Sequence, residues 1–240
     1  MKQYLIGALA ALGAAFTVPA VADSFLPPTI QHVRSASGET VATIIPARLS
    51  CALNEADCEP AARAIIYTER GGYTHGGRTI RLRNQEAPGQ VLVTDDAERL
   101  LTINDYAAYG FGDNVLVVYD EEGEVVAHYG LADFLPEDYI AGLPRTASTL
   151  RWWGAEHRIE PGTHRAVISL FRAEGVPENG VPPTAHIPFF ELSLDLDTGE
   201  LERPSGPAWE NALNCARGNS WLVPDRAAER ERERYRRLCR

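Results

Sequence analysis

Apolar residues in this chain come in short runs, each cut off by Asp, Gly or Asn. The pattern is densest between Val91 and Leu131, where four runs follow one another: Val91–Thr94, Leu100–Asn104, Val115–Tyr119 and Val125–Tyr129. They are rich in Val, Leu, Ile and Tyr, the side chains that suit a pleated surface, and they predict an up-and-down antiparallel meander. Similar runs precede it (Thr40–Ile45, Ala64–Thr68, Thr79–Arg83) and follow it (Thr149–Trp153, Arg165–Phe171, Phe189–Leu196). The last alternates, with Phe190, Leu192, Leu194 and Leu196 on one face and Glu191, Ser193, Asp195 and Asp197 on the other. Grouped by turns, the runs form three blade-like units, Thr40–Gln85, Val91–Leu131 and Thr149–Arg203. Their spacing is close to the period of about 40–50 residues in propeller arrays. The expected fold is mainly β, built from antiparallel meanders of propeller-blade-like or sandwich type.

Helical signals are few. Asp133–Leu143 predicts a short helix, with Pro136 in its first turn and Pro144 as its stop. Residues 207–240 predict a C-terminal helical hairpin, Pro207–Ala216 followed by Arg226–Leu238. The second helix carries Glu–Arg pairs at side-chain pairing distance and a thin apolar stripe of Ala228, Tyr235, Leu238 and Cys239. Glu69–Arg78 holds four glycines and reads as a flexible hairpin tip. No Gly-Lys-Ser/Thr follows it, so it is not a phosphate loop.

The start of the chain sets the expected compartment. Lys2, the apolar stretch Tyr4–Val18 and Ala20-Val21-Ala22 have the layout of a secretory signal peptide, residues 1–22, too short for a comfortable membrane span. Residues 23–206 are then the β-rich domain, exported to the periplasm or secreted. Beyond the leader, 22 arginines face 33 acidic residues. A body of that sign argues against nucleic acid, whose phosphates need the opposite charge. In an oxidising compartment four cysteines are expected to pair, as Cys51–Cys58 within one polar loop and Cys215–Cys239 between the two C-terminal helices.

Three segments resemble a recurrent pattern in exported bacterial proteins of unknown function. They are Gly110–Asp120, Asp133-Phe134-Leu135-Pro136 and Leu143–Trp153. The resemblance implies β-propeller-like sheet and carries no activity and no catalytic residue.

Candidate chemistry follows from the two ends of the central meander. Turns one and three lie at the same end and are acidic (Asp95-Asp96-Ala97-Glu98 and Asp120–Glu124). The longer second connection, Asp105–Asn114, lies at the other end and carries Tyr106, Tyr109, Phe111 and Asp113. With Trp152 and Trp153 these residues make the expected ligand-binding edge, since rings and glycines on a long loop suit contact with a partner. No histidine pair has zinc-ligand spacing, the acidic turns lack a calcium-loop pattern, and no nucleophile motif is present, so no cofactor or metal is expected. His128 reads as a structural residue on its strand, and Glu156, His157 and His164 as surface loop. The preferred function is a non-catalytic extracytoplasmic binding or scaffold protein, its partner an envelope protein or small ligand. The alternative is a periplasmic hydrolase or metal-dependent enzyme assembled from distant loops, with His75, Asp105 and Asp113 as its members.

Overall fold

The computed structural model describes residues 25–47, 61–171 and 189–219. The signal-peptide reading, Cys51, Cys58, Cys239 and the second C-terminal helix lie outside the described residues. Among the described residues twelve strands form three four-stranded antiparallel meanders. The first holds β1 (Gln31–Arg34), β2 (Thr40–Ile45), β3 (Arg63–Arg70) and β4 (Tyr73–Arg81). The second holds β5 (Pro88–Val93), β6 (Leu100–Asp105), β7 (Leu116–Tyr119) and β8 (Val125–Tyr129). The third holds β9 (Arg158–Ile159), β10 (Arg165–Phe171), β11 (Phe189–Asp195) and β12 (Leu201–Glu202).

The central sheet is packed on both faces, which explains why β6 and β7 read as continuous apolar runs rather than alternating ones. Leu101, Ile103, Leu116 and Val118 pack on the side of Ile168, Leu170, Leu192 and Leu194 from the third sheet. Leu100, Val117, Tyr119, Val91 and Val93 pack on the other side with Ile44, Ile66 and Ile80 from the first. Each such side chain contributes about 1.5–3 kcal/mol through burial.

Several expectations need correction. The first sheet begins at Gln31, a strand earlier than Thr40; β1 carries one apolar residue, Val33, and leaves little trace in the pattern. The glycine-rich segment is mostly strand: β3 and β4 pair out to Arg70–Tyr73 and only Gly71-Gly72 form the turn, both with positive φ. Thr149–Trp153 is not a strand. Its backbone groups are split among partners, Leu150 N–H donating to Tyr109 O at 2.9 Å and Arg151 N–H to Pro144 O at 2.8 Å, so no ladder forms. The helix expected over Asp133–Leu143 is two, α1 (Leu131–Phe134) and α2 (Glu137–Ala141). Pro136 separates them, since it has no N–H to continue a helix and is suited to begin one.

Helix α3, Pro207–Asn219, closes the third sheet. Its Trp209 ring lies 5.0 Å from Tyr139 and 5.2 Å from Phe190, and Arg217 Nε is 2.8 Å from Asp138 Oδ2. A Cβ on Gly142 would stand 2.5 Å from Ala216 O, so the C-cap of α2 and the backbone of α3 touch. Cys215, buried on α3, is disulfide-bonded, and its partner lies outside the described residues. No helix among the described residues is long and apolar enough to cross a membrane.

Candidate functional site

The second connection of the central meander is held open by a polar frame. Asn104 ends the regular part of β6 with φ +61°, a left-handed conformation that Asn tolerates better than most residues. Its buried Oδ1 accepts from Gly110 N at 2.8 Å and from Trp152 Nε1 at 2.9 Å. One amide thus ties the connection to the Trp152–Trp153 segment. Gly110 has φ +78°, and a Cβ there would lie 2.9 Å from both Leu150 O and the Trp152 ring. Asp105 accepts from Asn84 Nδ2 at 2.7 Å and Asn114 Nδ2 at 3.4 Å. Burial raises its pKa and the two amides counteract that in part. The two ends of the connection are therefore joined through one half-buried carboxyl.

On this frame the rings form a ladder. Tyr109 lies 5.9 Å from Trp153, and Trp153 lies 6.1 Å from Trp152. Gly89 on β5 makes room for Tyr109, since a Cβ there would meet its ring at 2.5 Å. Burial, then the neighbouring Tyr106, pushes the Tyr109 hydroxyl pKa up. The outer rung is Phe25, 5.9 Å from Tyr106 and 6.0 Å from Tyr109. The Tyr106 hydroxyl donates to the carbonyl of Leu26.

The expected edge residues thus divide. Tyr106, Tyr109 and Trp153 are half-buried members of the ladder. Trp152 is fully buried, edge-on to Phe134 and stacked on His157 at 5.2 Å, and so braces the ladder from the core. Phe111 and Asp113 are exposed on the same connection, outside the ladder. Sequence reasoning missed Phe25 and Leu26, since their destination depends on a residue 80 positions away. Of the large apolar side chains exposed among the described residues, Phe25, Leu26 (83%), Ile30 (50%) and Phe111 belong to this end, and Tyr73 to the opposite one.

His157 is buried rather than on a surface loop. Its Nδ1 accepts from Ser169 N at 3.1 Å, which leaves the ring proton on Nε2, and burial lowers its pKa to about 4. His128 is exposed on β8. His75 does not join Asp105 and Asp113: about 20 Å of strand separates it from Arg81, and Asn84, the residue bonded to Asp105, lies beyond that far end of β4.

The other end of the sheets is acidic in sequence but paired in space. The first turns of all three meanders meet at Asp95, which accepts from Ser37 N at 2.7 Å and Gly162 N at 3.4 Å, while its carbonyl accepts from Thr40 Oγ1 at 2.6 Å. Beside it His164 sits between Asp96 and Asp197, 2.7 Å from each. Arg99 bridges Asp197 at 2.9 Å and Glu121 at 2.6 Å. Burial alone would lower the His164 pKa, but hydrogen bonds to the two aspartates raise it. Burial opposes ionisation of Asp96, yet bonds from Glu98 N, Thr94 and His164 bring it down to about 2. Ligand atoms of Asp96, Glu98 and His164 lie within 4.8 Å of one another, a grouping no local spacing announces. With both imidazole nitrogens held by carboxylates, the arrangement reads as an ion-pair staple between the second and third sheets.

No family model matches the chain, and no curated protein matches it. Among solved structures, one similar chain comes from a structural and mechanistic analysis of two prolyl endopeptidases. Its TM-score is 0.30 and its identity 10%, over 74% of this chain and 26% of that one. The chain thus spans about a quarter of that protein, and the fold assignment rests on the sheets themselves.

Proposed function

We propose that this chain is a non-catalytic extracytoplasmic binding or scaffold protein, and that it engages its partner through the aromatic edge. The observation that carries the reading is the position of the exposed apolar surface. Phe25 and Leu26 contact the Tyr106–Tyr109 part of the ladder with their side chains still exposed, and Phe111 is exposed on the same connection, whereas the opposite end carries ion pairs. A contiguous apolar patch rimmed by polar residues is a mark of an interaction surface. Half-buried tyrosine and tryptophan are the side chains that supply most contact energy at such surfaces.

On this reading the leader, residues 1–22, directs export to the periplasm or the medium. The three meanders act as propeller-like blades that make a rigid mount. The Cys51–Cys58 and Cys215–Cys239 links hold the polar loop and the C-terminal helices in that oxidising setting. The test is a binding screen of envelope-derived peptides and saccharides against the wild type and a Tyr106→Ala/Tyr109→Ala variant. The reading expects hits that the double substitution weakens at least tenfold, about 1.4 kcal/mol. Hits that bind both proteins equally would place the binding surface elsewhere.

A further inference from the structure

The aromatic edge is already occupied. The segment Phe25–Ile30 belongs to no helix or strand and precedes β1, bringing Phe25 and Leu26 onto the edge. Phe25 lies against both Tyr106 and Tyr109, the Leu26 carbonyl takes the Tyr106 hydroxyl, and Pro28 is buried while its neighbours are exposed. A proline-bearing segment seated on tyrosine rings, with a backbone carbonyl taking a tyrosine hydroxyl, has the chemistry by which aromatic-lined grooves hold proline-rich peptides. The chain's own lead-in therefore shows which chemistry the edge accepts.

We infer that the partner is an extended segment of another protein carrying an aromatic residue shortly before a Pro-Pro pair, and that it binds by displacing the lead-in. This rests on the reading of the aromatic edge as a binding surface. The lead-in suits the role of a placeholder. On its C-terminal side it is anchored by β1, which pairs with β2 from Gln31. On its N-terminal side the described contacts are those of Phe25 and Leu26, and both side chains remain substantially exposed. A tethered segment competes at high effective concentration without binding tightly, so a partner with the same chemistry and further contacts replaces it.

The probe is a fluorescent heptapeptide of the chain's own sequence, Ser-Phe-Leu-Pro-Pro-Thr-Ile, titrated into the chain lacking residues 1–22. Proteins compared are the wild type, Phe25→Ala, Phe25→Leu and Phe25→Ala combined with Tyr106→Ala and Tyr109→Ala. If the lead-in closes the edge about nine-tenths of the time, Phe25→Ala tightens peptide binding about tenfold. Phe25→Leu, which keeps an apolar plug, falls between the two, and the combined variant loses binding. Equal affinity in wild type and Phe25→Ala, with loss in the tyrosine variant, overturns displacement and leaves the edge reading intact. Tyrosine substitutions without effect, or a scrambled peptide binding as well, overturn the edge reading itself. A concentration-dependent dimer of the wild type that Phe25→Ala abolishes would assign the edge to exchange of lead-ins between copies and overturn the partner proposed.

Discussion

At the scale of single residues, the site depends on atoms whose importance their neighbours in sequence do not disclose. Asn104 is the clearest case. Its amide satisfies two buried donors, Gly110 N–H and Trp152 Nε1–H, from a left-handed backbone. Asn104→Ala leaves both donors without a partner and is expected to cost about 2–4 kcal/mol, read as a lower denaturant midpoint. Trp152→Phe removes only one donor and should cost less at the hydrogen-bond level. Gly89 is a second case: a methyl group there occupies the place of the Tyr109 ring. Gly89→Ala is expected to displace that ring, change the near-ultraviolet circular dichroism of the Tyr109–Trp153 pair and destabilise by about 1–3 kcal/mol. An unchanged spectrum would mean that the ring does not rest on β5.

At the scale of elements, what the sequence discloses tracks how local the cause of each element is. The central meander was legible because its strands are apolar throughout and its turns are rich in Asp and Gly. Strand β1 was not, since an edge strand held by backbone pairing to β2 needs no apolar pattern. The β propensity of Thr149–Trp153 was real, but Trp152 is drawn into the core and Leu150 is bonded to the loop carrying Tyr109, so packing overrode it. The rings of the edge were visible as residue types; the order of the ladder was not, because Phe25 and Trp153 reach Tyr109 from distant parts of the chain. Helix α3 was expected from its proline start, and its docking gives a test at this scale. Gly142→Ala puts a methyl group against the Ala216 backbone, so it should loosen α3 selectively. Amide hydrogen exchange would show faster exchange in Pro207–Asn219 than in β6 and β7. Uniformly faster exchange would contradict a local contact.

At the scale of the whole molecule, the two ends of the sheets differ: the paired end joins the three meanders, and the aromatic end carries the proposed contact surface. The joint is pH-sensitive with a defined sign. The His164 pKa is raised by Asp96 and Asp197, with Glu98 beside Asp96, and Arg99 offsetting Asp197. Its stabilisation is therefore full below the ordinary value of 6.5 and fades as pH rises through the raised one. His157 works the other way: it is buried neutral, so its contribution is full above 6.5 and is lost as pH falls toward about 4. Asp96, lowered to about 2, contributes fully above 3.8 and loses that contribution as pH falls further. Thermal unfolding across this range should show His164→Gln flattening the loss of stability on the alkaline side and, because His164 also helps lower Asp96, softening the slope below 3.8, while the fall between 6.5 and about 4 set by His157 is unchanged. Loss of that middle slope instead would misplace the staple. The contact role of the other end is tested most directly by a benzophenone-bearing phenylalanine at position 111 and, as control, at position 73. Both positions are exposed, and they sit at opposite ends of the sheets. Irradiation in cells producing the full chain is predicted to yield a discrete covalent adduct from position 111 that Tyr106→Ala/Tyr109→Ala abolishes, and none from position 73. Equal adducts from both positions, or an adduct at 111 indifferent to the two tyrosines, would contradict the account.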